Sequence, residues 1–143
     1  VHPVRIESEN DIKVKRLAGK LDRVLVDAPC SGLGTLRRNP DLKWRQSPES
    51  VTELTQKQHD ILTAAARLVK SGGRLVYATC SLLAEENEDV VSAFLAAHPD
   101  FVPLNAAEIL SRQGINVGDE AALRLLPHVH GSDGFFAMAM ERK

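Results

Sequence analysis

"VLVDAPCSG" at residues 24–32 carries an apolar run into a carboxylate, a proline and a cysteine. Fifty residues after Cys30, "LVYATCS" (75–81) repeats the arrangement around Cys80. Short Val/Leu-rich runs bounded by turn residues read as strands buried on both faces. Between them lies a helix with clear punctuation. Ser47 serves as N-cap, Pro48 takes the first helical position and Glu49 adds negative charge to the first turn. Val51, Leu54, Ile61, Leu62, Ala65, Leu68 and Val69 then recur at helical spacing, interrupted by Gln58, with Lys70 and Gly72 marking the end.

Working outward, "AEENEDVVSAFLAAH" (84–98) reads as a second helix, with Glu85, Glu86, Glu88 and Asp89 in its N-terminal half and Pro99 as its stop. "FVPLN" (101–105) and "GFFAMAMER" (134–142) read as strands, and "AAEILSRQG" (106–114) as a helical turn. "VHPVRIE" (1–7) is expected to be an edge strand, because Pro3 cannot donate to a ladder. Residues 8–20 read as loop with a short helical turn, and 30–47, with two glycines and a proline, as a long loop. Alternating strands and helices predict an open parallel α/β sheet, whose chemistry gathers at the carboxyl ends of the strands. Asp27, Cys30 and Cys80 all fall there.

The 143 residues suit a single domain with a real core, here expected over 1–143. Apolar residues at 43% and charged residues at 26% are ordinary for a soluble globular protein. No run is long enough to span a bilayer and no signal peptide is visible, so the expected location is cytoplasmic and no membrane partner is expected. The net charge of −1 hides an asymmetry: residues 1–45 hold ten Lys/Arg against six Asp/Glu. "RRNPDLKWR" (37–45) alone carries Arg37, Arg38, Lys43 and Arg45 around Trp44, a patch suited to phosphate or to plain solvation. The chain opens at Val1 and its methionines are Met138 and Met140, which suggests an excerpt from a longer protein.

Four readings of the two cysteines compete: inert burial, a disulfide, a metal site and thiolate catalysis. A reducing compartment disfavours the disulfide. There is no CxxC, and His2, His59, His98, His128 and His130 show no ligand spacing, so no metal is expected. A cysteine hydrolase would need a histidine base, for which His128 and His130 are the candidates.

"DAPCSGLG" and "YATCS", each after a buried strand, resemble motifs IV and VI of the RNA (cytosine-5)-methyltransferases of the Sun/Fmu type. "RRNPDLKW", "LVKSGGRLVYATCSLLAEENEDVV" and "DGFFAMAMERK" resemble the same family, nearest its bacterial enzymes for small-subunit ribosomal RNA. The likeness is close over residues 20–98 and over the last ten, and poor over 106–130. It implies a Rossmann-like class I methyltransferase sheet of order 3-2-1-4-5-7-6, of which this chain supplies strands 3 to 7 and lacks strands 1 and 2. Residues 1–7 would be strand 3, and residues 22–28 a strand 4 with an open edge, to be filled either by residues 1–7 folding back or by edge-to-edge self-association of two copies. No glycine-rich turn for S-adenosylmethionine is present, so most of that cofactor's pocket would be missing and the isolated segment would bind it weakly.

The resemblance assigns attack on carbon 6 of cytosine to Cys80 and a part in product release to Cys30. DNA cytosine methyltransferases instead attack with the Pro-Cys cysteine of motif IV, so Pro29-Cys30 invites the opposite assignment. Asp27 would lie near both methyl donor and base. Pro29 would direct the loop, and Ser31 with Gly32 would let backbone approach the base. Arg37, Arg38, Lys43 and Arg45 would hold RNA phosphates, with Trp44 either stacking on a base or packing on the sheet. The competing class is a cofactor-free RNA-binding or scaffold domain of the same fold.

Overall fold

A computed structural model describes residues 1–143. In chain order the elements are α1 (Ile12–Lys15), β1 (Leu21–Asp27), α2 (Leu42–Arg45), α3 (Pro48–Ala66) and β2 (Val69–Thr79). They continue with α4 (Glu88–Ala97), β3 (Phe101–Leu104), α5 (Ala106–Ser111), β4 (Leu123–Leu125), α6 (Pro127–His130) and β5 (Phe135–Arg142). Single 3₁₀ turns lie at Leu33–Thr35 and Ala84–Glu86.

The strands form one five-stranded sheet of order β1-β2-β5-β3, with β4 also on β5. β1 and β2 run parallel as the alternation predicts, but β5 is antiparallel to β2, β3 and β4, so the sheet is mixed. β5 follows β4 and α6 without a crossover helix to return it in the parallel direction. This is the 4-5-7-6 portion of the expected sheet. β1 stands at the edge, its outer side unpaired. Residues 1–7 do not form the expected strand; all seven are exposed and carry no strand pairing.

Ser47 caps α3 as read: its hydroxyl accepts from Ser50 N–H at 3.2 Å and Ser50 Oγ accepts from Ser47 N–H at 2.9 Å. Such a cap stabilises by about 1 kcal/mol. The helix stops at Ala66, earlier than Lys70 and Gly72 would place it. Those two residues lie in a bulge of β2: Leu21 pairs with Val69 but Arg23 pairs with Arg74, and Gly72 turns at φ +73°. Only a residue tolerant of positive φ closes that bulge.

Leu62, Ala65 and Ala66 of α3 and Val90, Val91 and Phe94 of α4 pack on Val26, Leu75, Tyr77, Phe136 and Met140 of the sheet. Fully burying each large side chain stabilises by about 1.5–3 kcal/mol. Both long helices share this face. Strand alternation therefore leaves Leu25, expected to be buried, 68% exposed on the other face. No helix is long and apolar enough to cross a membrane. Residues 30–47, read as structureless, contain the 3₁₀ turn and α2, while β4 and α6 carried no clear pattern in the sequence.

Candidate active site

β1 and β2 are parallel neighbours, so their carboxyl ends lie side by side. Asp27 pairs with Ala78, and Ala28 N–H donates to Ala78 O at 2.9 Å. The two chains then leave the sheet together and bring Cys30 Sγ to 3.4 Å from Cys80 Sγ. Both thiols are free and part-exposed. Topology thus unites two residues that sequence separates by fifty positions.

A third loop locks against them. Gly34 N–H donates to Cys80 O at 2.9 Å, and Gly134 N–H, from the turn before β5, donates to Gly34 O at 2.8 Å. A Cβ on Gly34 would lie 2.4 Å from Gly134 O and 2.7 Å from Cys80 O. Only glycine allows this approach.

Beneath the thiols sits Glu86, one of the acids read at the start of the second helix and here fully buried. Its Oε1 accepts from Ser31 N–H at 2.8 Å and Gln58 Nε2 at 3.1 Å. Its Oε2 accepts from Ser31 Oγ at 2.6 Å and from Ser81 Oγ. Gln58 Nε2 also reaches Pro29 O at 2.9 Å, and Tyr77 OH donates to Glu86 O at 2.6 Å. Asn87, also buried, accepts from Thr79 Oγ1 and donates to Ser81 O. A carboxylate can be buried when its acceptor sites are filled in this way.

Burial pushes the Cys30 thiol up to about 12, and the adjoining Cys80 adds to the rise. Burial, then the charge of Glu86, raises the Tyr77 phenol, which remains a hydrogen-bond donor. Cys30 is therefore a neutral thiol near pH 7, which suits a proton-holding partner better than an attacking thiolate.

The remaining sequence candidates divide. Asp27 and Pro29 are exposed at the rim and border a groove of about 600 Å³ along the open edge of β1, walled by Ile6, Leu25 and Ile61. Ser31 turns inward: it is 1% exposed, its N–H and hydroxyl go to Glu86, and its carbonyl accepts from Gln46 Nε2. It has no free polar group for a base, and the expected surface contact becomes an internal tie. Arg38 is engaged by Asp133 and Arg45 by Asp41, whereas Arg37 and Lys43 face solvent without a carboxylate partner. Trp44 is 81% exposed beneath Lys43 Nζ, which lies 4.8 Å from the ring centroid, so it does not pack on the sheet. His128 and His130 are exposed on α6, and no histidine hydrogen-bonds either thiol.

Glu86, Gln58, Ser81 and Tyr77 escaped the sequence reading. Two signals pointed to them: a glutamine on an apolar helical face, and a Cys-Ser dipeptide that occurs twice.

Residues 4–141 match the family described as 16S rRNA methyltransferase RsmB/F. The chain belongs to this family. It is 44% identical over 125 residues to a probable ribosomal RNA small subunit methyltransferase B of Bacillus subtilis, covering 87% of this chain and 28% of the relative. A protein of the same description from Synechocystis is 48% identical over 123 residues, covering 85% of this chain and 27% of the relative. The chain thus spans little more than a quarter of these relatives' length. Among solved structures, NSun6 from Pyrococcus horikoshii with SFG superposes with a TM-score of 0.75 at 28% identity, covering 97% of this chain and 34% of that one. In the RsmB/F chain the Rossmann-like methyltransferase sheet presents both thiols and Asp27 at one rim.

Proposed function

We propose that this chain is the target-base segment of an S-adenosylmethionine-dependent RNA cytosine-5 methyltransferase, acting on ribosomal RNA in a reducing, cytoplasmic setting. The observation that carries the reading is the pair of sulfurs 3.4 Å apart at the ends of adjacent parallel strands. Family membership and the small-subunit relatives support the substrate class.

Carbon 5 of cytosine is too weak a nucleophile to take a methyl group unaided. Addition of the Cys80 thiolate to carbon 6 moves the ring's electrons to carbon 5, which can then accept the methyl. Carbon 5 next gives up its proton to solvent water, the C–H electron pair re-forms the carbon 5–carbon 6 double bond, and the carbon–sulfur bond breaks with its electron pair returning to Cys80. Cys30 stands within contact of that departing sulfur, and as a thiol it can donate a hydrogen bond to it. Asp27, exposed at the end of β1, is placed to accept from the exocyclic amine of a base unstacked into the rim.

S-adenosylmethionine supplies an electrophilic methyl group when bound. The rim fits one side of it: Asp27 offers a carboxylate, and Leu25 with Pro29 offers apolar surface along the groove. Arg37 and Lys43 serve as phosphate contacts, and Trp44 as a stacking platform.

The test uses the full-length protein with its RNA. Cys80→Ala abolishes both methyl transfer and covalent adduct, whereas Cys30→Ala lets the adduct accumulate as a retarded band on a denaturing gel. Adduct loss in Cys30→Ala with retention in Cys80→Ala would reverse the roles.

A further inference from the structure

The sequence places a serine directly after each cysteine, at 30–31 and again at 80–81. The fold sets these dipeptides side by side. The sulfurs are 3.4 Å apart, and one residue on the hydroxyls are 3.3 Å apart. Both hydroxyls donate to the same oxygen, Oε2 of Glu86. Ser31 and Ser81 are each 1% exposed and Glu86 is 0% exposed, so no water competes for these bonds.

We propose that Ser31, Ser81 and Glu86 form a clamp that sets the distance between the two thiols, and that Glu86 is a positioning residue for the release step. The proposal rests on the methyltransferase reading for its catalytic part and on geometry alone for its positional part. A single acceptor oxygen shared by two hydroxyls fixes their separation. Because each hydroxyl is one residue from a sulfur, that separation is passed to the thiols. The carboxylate cannot drift to compensate: Gln58 of α3 holds Oε1, and Tyr77 of β2 holds the Glu86 carbonyl.

The bonds at Glu86 all come from neutral donors, with no lysine or arginine paired to it. An ion pair would hold a position loosely in direction; four directed hydrogen bonds hold it tightly. Attack on carbon 6 needs Cys80 alone. Release uses the two sulfurs together, so it is the step most exposed to a change in their spacing.

The positional arm of the test uses phenylarsine oxide on the full-length protein, with no RNA present. The reagent condenses with two adjacent thiols, forming two sulfur–arsenic bonds and releasing one water. Wild type captures it one to one, and Glu86→Ala lowers its affinity by at least about tenfold. Ser81→Ala, which removes one hydroxyl and disturbs the core less, lowers it in the same direction. Glu86→Gln keeps an acceptor for Ser31 N–H but sets an amide NH2 where both hydroxyls donate, so it lowers the capture as well. Undiminished capture by folded Glu86→Ala or Ser81→Ala would overturn the clamp.

The catalytic arm follows RNA adduct against turnover. Glu86→Ala and Ser81→Ala form the Cys80 adduct but release it slowly, so turnover falls by about a hundredfold while adduct persists. A parallel fall of adduct and turnover, matching the folded fraction, would reduce Glu86 to a structural residue. If wild type itself formed no adduct, the methyltransferase mechanism would fail while the arsenical comparison still judged the clamp.

Discussion

Gly34→Ala tests whether the three loops interlock as described. The added Cβ would fall 2.4 Å from Gly134 O and 2.7 Å from Cys80 O, both backbone atoms that cannot rotate aside. Relief requires the 3₁₀ turn to move by roughly 1 Å, the scale of an overpacked site that costs about 1–3 kcal/mol. That movement breaks or stretches the bonds Gly34 N–H to Cys80 O and Gly134 N–H to Gly34 O, worth about 1 kcal/mol each. Replacing glycine also stiffens the unfolded chain, which returns about 0.4–1 kcal/mol. The net expectation is a loss of about 2–4.5 kcal/mol. Urea unfolding followed by far-ultraviolet circular dichroism reads this as a midpoint lowered by about 1–2 M at an ordinary slope near 2 kcal/mol per M. Gly134→Ala should cost less, because its tightest clash, at 2.4 Å, is with the tip of Leu82, which is 42% exposed and free to swing. A Gly34→Ala loss below about 0.5 kcal/mol, or a larger loss at Gly134, would refute the interlock.

In a Cys80→Ser variant, alkylation of Cys30 by iodoacetamide rises about tenfold per pH unit through about pH 10, because burial holds this thiol far above the ordinary range; a plateau near pH 8.5 would contradict the burial argument. The unfolded chain loses this proton first, so the Cys30 contribution to stability is complete below the ordinary thiol range and declines as pH climbs toward about 12. For the basic loop, Arg37→Ala and Lys43→Ala each weaken RNA binding and flatten its log–log salt slope by about 0.7, while Arg38→Ala, already engaged by Asp133, does less; filter binding across a salt series checks this, and an unchanged slope would return the loop to a solvated surface. The 143-residue chain binds S-adenosylmethionine no tighter than roughly 100 µM, because the wall along β1 is open and Leu25 faces solvent; micromolar affinity by titration calorimetry would sink that expectation.

Much of the site was legible because its signals are local. Val24–Val26 and Leu75–Tyr77 announce strands, and Ser47-Pro48 announces a helix start. Each is decided by propensity and bonding within a few residues. The placement of Asp27, Cys30 and Cys80 at one rim followed from strand direction alone, as parallel neighbours end on the same side. Other features depend on partners distant in sequence. Leu25 has the same apolar character as Val24 and Val26, and only the position of α3 and α4 on one face leaves it exposed. Residues 1–7 have a strand's composition, yet a strand exists only where another backbone pairs with it. Lys70 and Gly72 resemble a helix end, but the register of β1 on β2 makes them a bulge.

Glu86 shows the division most sharply. By composition it belongs to the acidic run at a helix start. Its burial becomes tolerable only when β1, β2 and α3 deliver Ser31, Ser81 and Gln58 to its two oxygens. The sequence by itself determined which stretches bring two thiols and a carboxylate to strand ends, because residue type and strand-end position are properties of local stretches. Tertiary structure alone decided the 3.4 Å between the sulfurs and the acid beneath them. Distances between strands, and the filling of a buried acceptor, are set by groups that meet only after the chain has closed on itself.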